Sequence, residues 1–444
     1  MDNHPVPSLL RVSAVACATL LLALPACSPD GAGASAPKTI TIGVDLPLTG
    51  AEGQAGTSTL NGVRFFVHRH PYLDGFGITV AARDDPYSPT RDPARGVQNL
   101  QGLIADPGVL AVIGPFDSNV ARAQIPVANV AHLALVSPGT SNRCLTKEPF
   151  LPSALNPART AISCAAAHLP SPADLRPTGV NNFFRLSTTD DLQGPAAADY
   201  TRRQLHLLRM AVLTDGEAYG QALADSFRAR FNRLGGSVVA QLDLDPSKPV
   251  DATAFLQGAK NAGAQGVYFG GTSSNHACVI RSQMTTVFGP DAAAPLLGGD
   301  GIALDPACIA DAGATAAGIY ATVPAADAPE IDSAHPVIAA FTRYYGRPDD
   351  FGPGTVAAYD ATGVVYDALD RAIKAAAGNA PARDSVVAEL AATTAYSGTT
   401  GVFGFDPQGD STLRLLAIYR PASTDPDAGW TWVTTVDYSA ALPY

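Results

Sequence analysis

Two hydroxyl-rich stretches, GPFDSN around Ser118 and LVSPGTSN over Ser137–Asn142, combine small residues with several hydrogen-bond donors. PLTGAEGQAG and GGTSSN have the same character. Each follows an apolar run, so each is expected at the carboxyl end of a strand. In an open α/β sheet, helix N-termini there present free N–H groups and the positive end of a dipole. Ser118, Thr140 and Ser141 can each donate a hydroxyl hydrogen bond to an anionic group in that position. For any one of them, a helix cap or turn is the ordinary alternative. Catalysis finds no comparable support. The chain has no GxSxG elbow, P-loop, HExxH or strand-to-helix GxGxxG. His132, the histidine nearest these serines in sequence, is expected to end a helix or pack. Asp84 and Asp85 are neighbours on a strand end and point in opposite directions, so they read as turn and cap residues. There is no CxxC, and none of the eight histidines has metal-ligand spacing, so neither metal nor cofactor is expected.

The elements that must carry these strand ends alternate along the chain. KTITIGVDLPL, GITVAARDD, VLAVIGP and LALVSP read as strands. Between them, GTSTLNGVRFFVHRH places Leu60, Val63, Phe66 and Val67 on one helical face. The next helix opens at Asp92-Pro93, a cap followed by a first-turn proline, and another contains Pro126. The strands are continuous apolar runs rather than alternating ones, as in a parallel sheet covered on both faces. A second set follows in FFRLST, RMAVLTD, SVVAQLDL, GVYFGG, PLLGGD and GIYATVP, again with helices between. Later helices (HPVIAAFTRYYG, TVAAYDATGVVYDALDRAIKAA, RDSVVAELAAT) and two closing β runs need sheets to pack on. Two α/β lobes result, with the chain crossing near FFRL, ATVP and GVFGF.

At 444 residues the chain exceeds one ordinary core. The net charge of −11 argues against nucleic acid as a partner. Arg11, the apolar VSAVACATLLLALPA and Cys27 form a secretory leader. Leu24-Pro25-Ala26-Cys27 resembles the lipobox of bacterial lipoproteins, which implies a leader over 1–26, a lipid-bearing Cys27 and a tether over 27–37. The mature chain is thus expected outside the cytoplasm, anchored to a membrane by lipid. Cys144, Cys164, Cys278 and Cys308 remain, an even number that favours disulfides in an exported protein. Of the three pairings, Cys144–Cys164 and Cys278–Cys308 join the cysteines nearer in sequence. The Pro/Ala-rich region Arg143–Asn182 reads as an elaborated loop with a short helix near Ala158–His168.

IGVDLPLTG, RDDPYSPTRDPARGVQNL, VLAVIGPFDSNVARAQIPVA, LALVSPGTSN, FFRLSTTDDLQGPAAADY, AVLTDGEAYGQAL and LLGGDGI resemble, in order and spacing, the branched-chain amino acid (leucine/isoleucine/valine) binding proteins of ABC transporters. The resemblance runs from about Ile40 to about Asp406. It implies the type I periplasmic-binding-protein fold: two lobes, each a mainly parallel sheet flanked by helices, joined by three crossover hinge segments. The N-terminal lobe would span 38–185 plus 324–402 and the C-terminal lobe 186–323 plus 403–444. The function it implies is capture of an amino acid or related zwitterion by hinge closure and delivery to an ABC permease, by a monomer that is not an enzyme. A ligand sensor of the same fold, feeding a regulatory partner, is the alternative.

By the same resemblance, Ser118 would help bind the ligand carboxylate, and Gly139 and Ser141 would meet the head group with backbone and hydroxyl. Tyr219 would close over the ligand from the second lobe, and Asp300 would pair with its ammonium. Phe116 and Thr140 complete the implied ligand-binding set. The chain departs from the pattern at Ala55, where many relatives have an aromatic residue. It departs again at Asp300, which stands for a glutamate, and at Asp117, which adds a carboxylate. The added carboxylate and the missing aromatic residue imply a ligand with a different, larger or more polar side chain than leucine. The long Arg143–Asn182 loop is expected at the cleft rim.

Overall fold

The computed structural model describes residues 38–444 except 51, 87–91, 149–162, 246, 274–275, 290–293 and 444. The expected leader, Cys27 and the tether lie outside the described residues, as does much of the expected helix near Ala158–His168. Of that helix, a short 3-10 turn over Ala165–Ala167 is described.

Apolar strands with both faces covered build the first sheet. It contains β1 (Thr39–Leu46), β2 (Tyr72–Leu73), β3 (Phe76–Asp84), β4 (Val109–Ile113), β5 (Ala134–Ser137) and β6 (Phe183–Arg185). Their order is β2-β3-β1-β4-β5-β6, parallel throughout except for the β2/β3 hairpin. Ile40, Ile42 and Val44 pack on one face against the helices Gly53–Arg69, Thr355–Ala375 and Arg383–Ala391. Val109, Val112 and Leu135 pack on the other against the helices Pro93–Ile104 and Ser118–Val130. The continuous apolar strands therefore have the two-sided cover that their composition requires.

The second sheet takes β7 (Arg209–Thr214), β8 (Ser237–Asp243), β9 (Val267–Gly270), β10 (Leu296–Gly298) and β11 (Ile319–Val323) in parallel. After a two-stranded hairpin of β12 (Tyr396–Ser397) and β13 (Val402–Phe403), β14 (Leu415–Pro421) and β15 (Trp430–Asp437) add antiparallel to β11. The order is β15-β14-β11-β10-β9-β7-β8. Ala211, Leu213 and Phe269 pack toward the helices Val279–Phe288 and Pro306–Ala312. Val212 and Tyr268 pack toward Gln193–Arg203 and Ala218–Arg233. The chain leaves the first sheet after Arg185, returns to its core after Val323, and crosses again before Leu415. Disulfides join Cys144 to Cys164 and Cys278 to Cys308, with Cα atoms 5.7 and 5.1 Å apart. Both pairings are those expected from sequence order. Among the described residues, no helix is long and apolar enough to cross a membrane.

Candidate ligand-binding cleft

A cavity of about 520 Å³ lies where the strand ends of the two sheets face each other. The first sheet supplies Phe116, Pro138, Gly139 and Ser141; the loop after β10 supplies Asp300, Ala303 and Leu304. The crossover segments contribute Leu186, Ser187, Thr188, Val323, Pro324 and Leu413. Glu52 and Asp300 are the only charged residues lining it, and no lysine, arginine or histidine does so among the described residues.

The wall after β5 is shaped from within. Ser137 Oγ donates to the Pro115 carbonyl at 2.7 Å and accepts from Thr140 N at 3.0 Å and Thr140 Oγ1 at 2.9 Å. The turn therefore folds over Ser137 and draws the Thr140 side chain into the wall. Behind it lies fully buried Arg185, which donates to the Asn142 carbonyl at 2.7 Å and, through Nε, to Asp410 Oδ1 at 2.7 Å. Burial alone would raise the Asp410 carboxyl, but the Arg185 and Lys147 charges override it and hold it below the usual carboxylate range. The Ser141 carbonyl accepts from Asp190 N at 3.0 Å, which ties the turn to the first crossover segment.

The opposite wall centres on Asp300. Gln193 Nε2 donates to its Oδ1 at 2.8 Å, Gln193 Oε1 accepts from its backbone N–H at 2.9 Å, and the Tyr219 hydroxyl donates to the same Oδ1. Gly299 makes room for this convergence, since a Cβ there would sit 2.6 Å from Leu223 Cδ1 and 3.3 Å from the Tyr219 oxygen. Burial pushes the Asp300 carboxyl up while the Tyr219 and Gln193 bonds pull it down. Tyr219 is driven well above its ordinary value by burial and then by the Asp300 charge, so it stays a donor. Asp190, only 8 % exposed, is a second carboxylate at the same place. Burial, then the Asp300 charge, push it up to about 7, and the Ser141 hydroxyl pulls it back. Asp300, braced by neutral donors and with buried Asp190 beside it on the same Gln193 amide, faces a cavity with no basic side chain among the described residues. Such a site favours a cationic group.

The structure brings Phe116, Gly139, Ser141 and Asp300 to the cleft, with Tyr219 reaching it through Asp300. It does not bring Thr140, whose hydroxyl is spent on Ser137. Nor does it bring Ser118 there. Ser118 Oγ accepts from Asn142 N at 3.3 Å and faces a separate cavity of about 50 Å³. Asp117 caps its helix, accepting from Asn119 N at 2.7 Å and Val120 N at 3.1 Å, so its carboxylate is no mark of a polar ligand. No described residue of 143–182 lines the cleft. Instead the Cys144–Cys164 bridge packs against Ala222 of the second sheet's helix, and Lys147 pairs with Asp406 and Asp410 at 2.8 and 2.7 Å. Sequence reading missed Asp190, Gln193 and Arg185. For Asp190 and Gln193 the one local signal is a polar cluster, DDLQ, that leads into the helix Gln193–Arg203.

The sequence profile described as periplasmic binding protein matches residues 39–425. The chain belongs to the periplasmic binding protein family. It is 26 % identical to Leu/Ile/Val-binding protein homolog 1 of Brucella abortus over 392 residues, 87 % of this chain and 92 % of that one. An amino acid binding protein of Pseudomonas aeruginosa is 26 % identical over 59 % of this chain, the match spanning 61 % of the relative's length. Among solved structures, a leucine binding protein from Thermotoga maritima superposes with a TM-score of 0.63 at 20 % identity, over 90 % of this chain and 99 % of that one. A Rhodopseudomonas palustris solute binding protein in complex with 4-hydroxybenzoate gives 0.63 at 18 %, over 90 % and 97 %. At such identities these structures establish the shared two-sheet fold. The family is one of solute-binding proteins rather than enzymes.

Proposed function

We propose that this chain is an extracytoplasmic lipoprotein of an ABC importer, held to the membrane by lipid on Cys27. It captures an amino-acid-like ligand between its lobes and delivers it to a membrane permease. The lobes, 38–185 plus 324–402 and 186–323 plus 403–444, close on the ligand by bending at the three crossovers, the usual motion of such proteins. Support for two bodies comes from the cores: Phe341 and the helices from 355 to 391 pack with the first sheet, not the second.

The observation that carries the reading is Asp300, braced by Tyr219 and Gln193, lining the same cavity as Gly139 and Ser141 from the other sheet. An ammonium meets Asp300 with Asp190 behind it. A carboxylate meets the backbone of the Gly139–Ser141 turn. Names of relatives that bind leucine, isoleucine and valine point to the same ligand class. Calorimetry of the full chain against amino acids tests this. Asp300→Asn, which keeps the shape and removes the charge, should weaken binding about tenfold to a hundredfold, as loss of a charge-assisted hydrogen bond does. Equal affinity in the variant would refute the assignment.

A further inference from the structure

We propose that the cleft selects an amine carrying a planar ring, an aromatic amino acid or the matching arylalkylamine, over a branched aliphatic amino acid. This rests on Asp300 as the ammonium partner and concerns the other end of the ligand.

The first observation is size. The cavity holds about 520 Å³, mid-range among pockets of about 300–1,000 Å³ that enclose drug-sized molecules. A ring-bearing side chain fills more of that volume than a four-carbon one, which leaves less apolar space for closure of the lobes to take up. The second is Phe116, the single aromatic side chain lining the cleft among the described residues. One edge of its ring is seated against backbone: a Cβ on Gly139 would lie 2.8 Å from Cε2 and 2.9 Å from Cδ2. A Cβ on Gly354 would lie 3.2 Å from the same Cε2 and 2.1 Å from Thr59 Oγ1. Two positions without side chains thus let the ring sit flush with the wall, as a platform. Aromatic groups stack on or meet the edge of such a ring with more attraction than their buried area supplies. The third is what surrounds the platform. Ala55, Ala357 and Pro353 line the same cleft with short side chains, while Leu186 and Leu413 add apolar surface. Among the described residues no basic side chain lines the cleft to neutralise a ligand carboxylate, so amine and ring are the two features it can read most strongly.

The test is calorimetry of the full chain with L-phenylalanine, 2-phenylethylamine, L-leucine and phenylacetate. At least one ring-bearing amine should bind tenfold or more tighter than leucine, and the pair of them shows whether the carboxylate is also read. Leucine binding as tightly as both would overturn the ring preference and leave the Asp300 reading intact. Phenylacetate binding alone, or none of the four binding, would overturn both. Ala55→Phe, which takes up cleft volume, and Phe116→Leu, which keeps apolar bulk without a ring, should each lower the ring-to-leucine affinity ratio at least tenfold, with melting curves confirming the fold. A ratio unchanged in both variants contradicts the proposal.

Discussion

Gln193 grips Asp300 from two sides, donating from Nε2 to Oδ1 at 2.8 Å and accepting from the Asp300 backbone N–H at 2.9 Å. The same amide reaches Asp190 Oδ1 at 3.3 Å and accepts from Thr322 Oγ1 at 3.1 Å. One neutral side chain thus orients one acid and separates it from another. Gln193→Leu should leave both acids short of a donor and weaken ligand binding about tenfold. A buried group stripped of its partner costs about 1–3 kcal/mol, and 1.4 kcal/mol is tenfold in affinity. Calorimetry against wild type checks it, and an unchanged affinity would show that Asp300 needs no brace.

Binding of a cationic amine should strengthen with pH. Asp190 is pushed up to about 7, by burial and then by Asp300, so below that pH it holds a proton. A bound ammonium favours the ionised carboxylate, so the proton must leave as the ligand enters. Affinity is expected to climb from pH 5.5 and level off above about 7. Proton release below that pH appears as a dependence of binding enthalpy on the buffer's ionisation enthalpy. Asp190→Asn should flatten the profile.

Away from the cleft, a second pair of acids makes stability fall with rising pH. Asp45 is fully buried, accepts from Asn99 Nδ2 at 2.8 Å and from Gln124 Nε2, and is pushed up to about 7, chiefly by burial. Asp85 is pushed up to about 8 by burial and then by Asp45. Both folded values exceed the unfolded one, so their contribution is full below about pH 4 and is lost as pH rises through 7 to 8. Asp85→Asn should therefore melt higher than wild type at pH 9, by about 2–4 °C for each kcal/mol recovered. The gap should close or reverse at pH 5. Scanning calorimetry at the two pH values decides the matter.

Opening the Cys144–Cys164 bridge should destabilise the chain through its unfolded state. The cysteines are 20 residues apart, and closing a loop of that size is worth about 3 kcal/mol in the chain-entropy account. The double variant Cys144→Ser/Cys164→Ser should unfold at lower denaturant concentration with ligand affinity within a few fold of wild type. No described residue of that loop lines the cleft. A large loss of affinity would place the loop in the binding site after all.

Much of this architecture is legible in the residues. Apolar strands alternating with amphipathic helices declare covered parallel sheets, and polar strand ends such as SPGTSN and LLGGD mark where a ligand sits. The harder part is which hydroxyl faces inward. Thr140 and Ser141 are neighbours of like chemistry, yet one bonds Ser137 within the wall and the other lines the cleft. Only the turn's backbone decides that. The braces are hidden for a different reason. Gln193 and Asp300 are 107 residues apart and meet only because the start of the helix Gln193–Arg203 lies at the carboxyl end of β10. Arg185 and Asp410 are 225 apart. No local spacing encodes such pairs.

The central claim is that Asp300 receives the ligand's amine. Its most direct test is calorimetry of the full chain with the tightest-binding amino acid and with its N-acetyl derivative, which keeps side chain and carboxylate but removes the positive charge. The account predicts that acetylation weakens binding about a hundredfold or more. N-acetyl and free forms binding with equal affinity would contradict it.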